Sequence, residues 1–341
     1  MLSVIVPATD RPATLARCLA ALAASDEPHE VVVVTTPSDG GPAAARNAGV
    51  AATTGAIVVF VDADVEVHRD ALRRLRTALD ADRDVDAVFG AYDERPAEAS
   101  VVSRFRNLLH HHVHVSSPGP AETFWAGLGA VRRETFEAHG GFDARRFPRP
   151  SIEDIDLGMR LRADGRRIEL VPGARGTHLK RWTLRSMLHT DFSARGVPWV
   201  ALLLERGGAA ASLNIARRHQ FAAAGAVTAM LAMAARRPRL ALTALAAMTA
   251  ANARFYLLLA RLGGPPLAFA GIGLHFLHHL TAAASVPAGV VLWSRAGRRR
   301  GTKAAGERLS NFARTSSSAA HPPFAWYPRR RSAAARAIVH P

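Results

Sequence analysis

The sequence is poor in three features, and each scarcity excludes something. Cys18 is the only cysteine among 341 residues, so no disulfide framework or cysteine-based metal site can form within one chain. Acidic residues nearly disappear late in the chain, where Glu307 stands alone between Arg206 and Pro341. The N-terminus has no basic leader followed by an apolar stretch and a small-residue cleavage site, so secretion is not expected. A reducing, cytoplasmic location suits this composition.

The formal charge of +16 would attract nucleic acid, anionic lipid head groups or phosphorylated substrates equally well. Most of the excess lies in the C-terminal part, which also holds the long apolar runs. The basic tail lacks the interleaved aromatic residues of a single-strand binder, so nucleic acid is not expected as a partner.

Short apolar runs alternate with helical patterns over the first 60 residues. The predicted strands are 2–6, 30–34 and 56–61, and the helices between them are 13–24 and 43–52. This βαβαβ order predicts an α/β fold with a mostly parallel sheet covered on both faces. Ligands of such sheets bind beyond the carboxyl ends of the strands. Pro7, the turn 35–39 and Asp62 to Asp64 follow those ends.

Asp62 and Asp64 come directly after the third predicted strand. Two carboxylates one residue apart can share a divalent cation or its hydration shell, and such a cation assists the departure of a diphosphate. A turn at the strand end that uses two aspartates is the alternative interpretation.

Glu153 and Asp154 form a second acidic pair, ahead of a predicted amphipathic helix. Capping and the helix dipole account for acids at this place. A carboxylate that faces the metal site could equally deprotonate an acceptor hydroxyl.

An ordered set of motifs over about the first 200 residues resembles the family-2 glycosyltransferases of the GT-A fold. The set consists of Ser3-Val4-Ile5-Val6-Pro7, Ala45-Arg46-Asn47-Ala48-Gly49, Val61-Asp62-Ala63-Asp64, Gly127 to Arg133, Gly140-Gly141-Phe142-Asp143, Glu153-Asp154 and Lys180-Arg181-Trp182. The resemblance implies a nucleotide-diphosphate-sugar donor and a divalent metal, Mg or Mn. It also implies an inverting transfer with Asp154, beside Glu153, as the catalytic base.

The same resemblance assigns further residues to the site. Metal binding is assigned to Asp62, Asp64 and His178. Donor binding is assigned to Pro7, Asp39, Arg46, Asn47, Asp62 and Arg181. Many relatives carry Asp-Asp-Gly-Ser after the second strand, whereas this chain has Thr35-Thr36-Pro37-Ser38-Asp39-Gly40, so Asp39 is the candidate substitute and the donor base stays open.

Acceptor binding is assigned to three residues, Trp125, Gly127 and Trp182. An aromatic face can stack on a sugar, and glycine permits close approach of the backbone. A core tryptophan is the alternative for Trp125. His110–His112 and His114 look like a metal tract, but adjacent histidines on a helix point in different directions, which favours a solvated or interfacial helix.

Three apolar segments follow residue 212. Segments 240–262 and 267–293 approach the length of a membrane span, and 213–235 is predicted to lie at the interface. With the arginine clusters on the cytoplasmic side, two spans obey the positive-inside rule. Helices packed against the catalytic domain are the alternative.

The predicted organisation is a GT-A domain over 1–205, a helical membrane-associated region over 206–294 and a basic disordered tail over 295–341. We expect a cell-membrane enzyme whose catalytic domain faces the cytoplasm, with membrane lipids as partners and a lipid-linked or glycan acceptor. The alternatives are a nucleotidyltransferase, for which a phosphate-cradling loop near the first strand is missing, and a catalytically inactive basic protein that binds membranes or nucleic acid.

Overall fold

A computed structural model describes residues 1–36, 40–207, 217–317 and 338–340, with side chains as far as residue 296. Within these residues nine strands form one sheet: β1 (Leu2–Pro7), β2 (His29–Val34), β3 (Ile57–Val61), β4 (Val65–Val67), β5 (Val85–Tyr92), β6 (Gly119–Pro120), β7 (Leu128–Arg132), β8 (Arg167–His178) and β9 (Ile338–His340).

The sheet is mixed: β1, β2, β3, β5 and β8 run in one direction, and β4, β6, β7 and β9 run against them. The strand order is β4-β8-β5-β7-β3-β1-β2-β9, with β6 paired to β8. β1 runs parallel to β2 and β3, and β5 runs parallel to β8, whereas β7 lies antiparallel between β3 and β5. Pro7 pairs with Val34, so the ends of β1 and β2 meet at one edge, as the sequence predicts. The α/β prediction is confirmed.

Helices cover both faces of the sheet. The first eight are α1 (Leu15–Ala23), α2 (Gly41–Ala51), α3 (Ala71–Ala81), α4 (Val101–Val115), α5 (Arg133–Ala138), α6 (Glu153–Ala163), α7 (Leu184–His189) and α8 (Val197–Arg206), with a π-helical segment Thr190–Gly196 between α7 and α8. Successive residues of β3 point to opposite faces because a strand has a period of two. Phe60 therefore packs in one core cluster, and Val59 and Val61 pack in the other.

Three further helices follow: α9 (Arg217–Ala234), α10 (Pro238–Ala251) and α11 (Ala253–Ser317). The predicted span 240–262 is not one helix, because α10 ends at Ala251 and the chain turns at Asn252. α11 is broken at Gly264, whose φ of 74° is not helical. This residue lies in the predicted gap between the two spans. The sequence predicts a disordered tail from residue 295. In the structure the backbone is helical as far as Ser317, and Ile338–His340 pairs with β2.

Ala253–Ala296 is the one described segment that is long and apolar enough to cross a membrane by length and composition. One face of it packs against the N-terminal domain over most of its length. Arg104 donates to the Leu262 carbonyl at 2.5 Å, and His278 Nδ1 lies 2.8 Å from Asp191 Oδ2. A Cβ on Gly289 would lie 2.5 Å from Val200 Cβ, so α8 and α11 touch there.

The opposite faces of these last helices expose large apolar side chains. Phe221, Leu242 and Phe269 are 72%, 67% and 74% exposed. Monomeric soluble proteins rarely leave many such residues uncovered together.

Candidate active site

Polar side chains from three predicted motifs converge at the carboxyl edge of the sheet. They line one open cavity of about 1810 Å³. The sequence-predicted residues on its wall are Pro7, Arg46, Asp62, Asp64, Trp125, Glu153, Asp154 and Trp182. The order of strand ends therefore brings together residues up to 175 positions apart, from Pro7 to Trp182.

Arg46 on α2 joins the two acidic pairs. Its guanidinium donates to Asp62 Oδ1 at 2.6 Å and to Glu153 Oε1 at 2.9 Å. Burial lowers the pKa of Arg46, but the carboxylates of Asp62 and Glu153 raise it by more, so the guanidinium stays protonated. Glu153 also accepts from the Ser151 amide at 3.0 Å and is 4% exposed. The sequence analysis places Glu153 beside Asp154 in the catalytic pair. In the structure one Glu153 oxygen holds Arg46 and the other holds the loop before α6.

Asp64 faces His178, which lies at the end of β8. Asp64 Oδ2 and His178 Nε2 are 3.5 Å apart. Burial works to raise the pKa of Asp64, but the hydrogen bond and charge of His178 lower it below its ordinary value. His178 Nδ1 lies 2.6 Å from Asn107 Oδ1, so Asn107 fixes the orientation of the imidazole and leaves Nε2 facing Asp64.

The donor set at this point suits a hard or borderline divalent cation, since carboxylate oxygens and a neutral imidazole are its usual ligands. Asp62 is turned toward Arg46, and among the residues with described side chains no three acidic, histidine or cysteine groups already surround a common point. Asp64 and His178 fit a cation as they stand, and Asp62 fits one after a rotation away from Arg46.

Asp154 lies in the first turn of α6 and faces the same cavity. Its Oδ2 accepts from the Ala126 amide at 3.2 Å, and its Oδ1 accepts from the Ile155 amide at 2.8 Å. Burial, followed by the charge of Glu153, raises the pKa of Asp154 to about 6. A carboxylate with this pKa is mostly ionised at neutral pH and is a stronger proton acceptor than an ordinary aspartate.

Trp125 is half-buried on the cavity wall, and its ring centroid lies 4.8 Å from that of Tyr92 and 4.9 Å from that of His110. A Cβ on Gly127 would lie 2.4 Å from Trp125 Cζ2, so Gly127 makes room for the indole instead of lining the cavity itself. Trp182 is 5% exposed, and the Lys180 ammonium lies 4.7 Å from its ring centroid. Both tryptophans present only part of a face to the cavity.

Two of the predicted donor residues, Asn47 and Arg181, are placed differently. Asn47 exchanges hydrogen bonds with the Phe142 amide and carbonyl at 3.0 and 2.7 Å, so it holds the turn after α5. Arg181 is exposed and lies outside the cavity wall, which Lys180 joins in its place. Asp39 lies outside the described residues.

Other wall residues were not predicted from the sequence. Arg195 on the π-helical segment and Arg149 before α6 add positive charge to the wall. His110 and His114 also line it, and His114 Nδ1 lies 3.1 Å from the Gly90 carbonyl oxygen, so the expectation of a solvated or interfacial histidine helix is wrong. The helical spacing of these two histidines, four residues apart, was the signal that could have revealed a shared face.

The comparisons with known proteins agree with this geometry. Residues 24–140 match the family model described as Glycosyl transferase family 2. The pre-mycofactocin glycosyltransferases of two Mycobacterium tuberculosis strains are each 32% identical over 187 residues, which is 51% of this chain and 35% of theirs. The chain thus spans about a third of the length of these curated relatives.

A solved mannosyltransferase from Pyrobaculum calidifontis, PcManGT, in complex with GDP-Man and Mn²⁺, superposes with a TM-score of 0.51 at 22% identity. The match covers 84% of this chain and 86% of that one. This likeness extends the shared fold well beyond the residues of the family match. With the strand order and the acidic motifs described above, these matches support a family-2 glycosyltransferase domain in the N-terminal part of the chain, and the solved structure shows that the chain shares its fold.

Proposed function

We propose that this protein transfers a sugar from a nucleotide-diphosphate donor to an acceptor hydroxyl, with inversion at the anomeric carbon. The observation that carries the proposal is the position of Asp154, a carboxylate with a pKa of about 6, in one cavity with Asp62 and Asp64. In this arrangement Asp154 can accept a proton, Asp62 and Asp64 lie where a diphosphate can bind, and the cavity between them has room for a sugar.

In the proposed step Asp154 takes the proton of the acceptor hydroxyl as its oxygen attacks the anomeric carbon. The new C–O bond forms while the bond from that carbon to the diphosphate oxygen breaks, and the nucleoside diphosphate leaves with the electron pair. The Ala126 amide fixes one Asp154 oxygen, so the carboxylate keeps its aim during the reaction. The opposite faces of attack and departure give inversion.

The departing diphosphate needs positive charge. Asp64 and His178, with Asp62, would hold a Mg or Mn ion, which supplies Lewis-acid stabilisation of the leaving diphosphate. Arg46 lies between Asp62 and Glu153, and Lys180 and Arg195 stand on the wall, so the chain itself contributes cations around this edge. Pro7 lines the side where β1 ends, in the position proposed for the nucleotide.

The helices α9 to α11 would attach the enzyme to the cytoplasmic face of a membrane. Because α11 is docked against the N-terminal domain, we propose that it lies along the membrane surface instead of crossing the bilayer. Exposed apolar side chains would enter the interface, and arginines such as Arg236, Arg237 and Arg239 would meet anionic head groups. An acceptor at the membrane, a glycolipid or a growing glycan, follows from this placement.

The direct test incubates the full chain in lipid nanodiscs with a panel of nucleotide sugars that includes GDP-mannose and UDP-N-acetylglucosamine, with Mn²⁺ or with EDTA. Nucleoside diphosphate release is measured for wild type, Asp64→Ala and Asp154→Asn. We expect metal-dependent turnover of one donor. We also expect a loss of about 10²- to 10⁴-fold in Asp154→Asn, the usual contribution of a general base.

Asp143→Asn is the matched control, since Asp143 also lines the cavity and its side chain accepts from the Arg146 amide at 3.0 Å in its own turn. It should retain most of the activity. Folded wild-type protein that neither binds nor turns over any donor would contradict the proposal.

A further inference from the structure

The wall of the cavity changes character from one end to the other. The end near Pro7 and Asp62 is polar, whereas the end beyond Asp154 is built from apolar and aromatic side chains of the loop before α6 and of α6, α8 and α11. These are Phe147, Ile152, Ile155, Trp199, Leu292 and Trp293. A nucleotide sugar has no group that needs this second end.

The apolar end begins beside Asp154. Ile152 and Phe147 are buried in one cluster, and Ile155 and Trp199 pack against it. Ile152 and Ile155 flank the Glu153–Asp154 pair in the sequence, so the proposed base stands at the boundary between the two ends. An acceptor whose hydroxyl reaches Asp154 therefore extends its remaining atoms over an apolar floor.

The contact of α8 with α11 places the second tryptophan. Ser285 Oγ would lie 2.5 Å from a Cβ on Gly196, and Gly289 touches Val200, so the face of α11 with Ser285 and Gly289 is turned to α8. Residues three and four further on in a helix share that face. This brings Leu292 and Trp293 to the cavity wall, on the far side from the sheet.

Two more observations favour an apolar ligand at this end. The indole nitrogen of Trp199 is buried, so the part of this side chain that lines the cavity is its apolar ring. The apolar wall is also continuous with an exposed apolar surface, since Val290, Val291, Leu292 and Trp293 are each 41–46% exposed. The end is therefore open along α11, and the Arg146–Glu205 ion pair at 2.7 Å adds charge to the cavity wall.

We infer that this end of the cavity, between Trp199 and Trp293, binds the hydrocarbon chain of a lipid acceptor while the acceptor hydroxyl reaches Asp154. An open, elongated apolar wall suits a chain better than a compact ring, and its continuity with the exposed face of α11 gives a lipid a path from the membrane surface. The inference rests on the proposed function and names its acceptor class.

The test uses the donor identified by the panel and alkyl glycoside acceptors with methyl, octyl and dodecyl chains below their micellar concentrations, with phenyl glycoside as the compact comparison. KM for the acceptor should fall with chain length, by up to about fourfold for each CH2 that is buried. Trp293→Ala and Trp199→Phe should remove at least about tenfold of that gain, with donor KM unchanged. Phe269→Ala, which removes an exposed apolar side chain of the same helix away from the cavity, should retain the gain.

A photolabelling arm needs no turnover. A dodecyl glycoside with a terminal diazirine should label peptides that contain Trp199 or Leu292 to Ala296, and excess dodecyl glycoside should displace it. Labelling confined to residues 217–251, KM values independent of chain length, or a preference for the phenyl glycoside over dodecyl would each overturn the inference. Absent donor turnover would instead contradict the proposed function, and the labelling would still decide between a chain site and none.

Discussion

The two halves of the molecule use apolar residues in opposite ways. In the N-terminal domain the large side chains are inside: Phe60, Phe89 and Phe124 are 0–1% exposed and meet edge to face. In α9 to α11 many large side chains are outside, and the contacts between helices are made by small ones, such as Ala222 and Ala226 against Met248. The first half is stabilised by its own core, and the second leaves an apolar surface exposed.

The largest contrast is expected between two phenylalanines. Phe60→Ala should lower the free energy of unfolding by about 4 kcal/mol, because it removes a fully buried ring from the centre of the core. Phe269→Ala should change it by less than about 0.5 kcal/mol in water, since the ring is 74% exposed, but should weaken binding to anionic vesicles. Urea denaturation and vesicle sedimentation measure the two effects. Equal loss of stability in both variants would contradict the division into two halves.

A second experiment removes the contact between Asp191 in the first half and His278 of α11. Asp191 is buried and pairs with Arg106 at 2.7 Å and with His278 of α11 at 2.8 Å. Asp191→Asn leaves the buried Arg106 without its counter-charge and should cost about 3 kcal/mol. Hydrogen exchange should then rise along residues 265–290 before it rises in the sheet.

Glu94→Gln is the matched control for this joint. It removes the more exposed Arg261–Glu94 pair, also between the two halves, and should cost less than about 1 kcal/mol. If the two variants had the same effect, Asp191 would not be the fixed point of α11.

Two glycines, one in each half, are expected to respond to alanine substitution with stability changes of opposite sign. A Cβ on Gly158 in α6 would lie 2.2 Å from the Phe124 backbone nitrogen, so Gly158→Ala should destabilise the protein by about 2 kcal/mol. Gly273 in α11 has nothing within 4 Å of its Cβ position, so Gly273→Ala should stabilise the helix by about 0.5 kcal/mol through helix propensity. Thermal unfolding of both variants would show the difference in sign, and a loss of stability in Gly273→Ala would mean that this face of α11 is packed.

The last expected effect is a gain in stability from removing the proposed base. The folded-state pKa of Asp154 lies above its ordinary value, so the ionised form is disfavoured in the fold, and stability falls as pH rises from about 4 through about 6. Asp154→Asn should therefore raise the free energy of unfolding by up to about 3 kcal/mol at pH 7 and by nothing at pH 3.5. A stability loss at pH 7 would indicate a structural role for the carboxylate.

The sequence could predict the sheet and the acids because both depend on local order. Apolar runs that end at Pro7 and Asp62 place those residues at one edge whatever the rest of the chain does. It could not predict that Arg46 bonds Glu153, because the two are separated by 107 positions and only the folded sheet brings them together. For the same reason Asn47 was assigned to the donor, although its amide is occupied by Phe142.

The membrane-span prediction shows a different limit. A hydropathy window counts His275, His278 and His279 as interruptions of a lipid-facing segment. In the structure His275 and His279 are 1% and 3% exposed, and His278 meets Asp191, so the histidines mark the face that packs against protein. The composition of a helix indicates how apolar it is. The position of its polar residues indicates which face packs against protein.

The pH dependence of kcat/KM for the preferred donor decides whether Asp154 is the base of a sugar transfer. We expect the wild-type rate to rise with a single ionisation near pH 6, because only the carboxylate accepts the proton, and we expect Asp154→Asn to lose both the rate and this ionisation. A wild-type rate that is constant between pH 5 and 8, or an Asp154→Asn variant with the same profile, would contradict it.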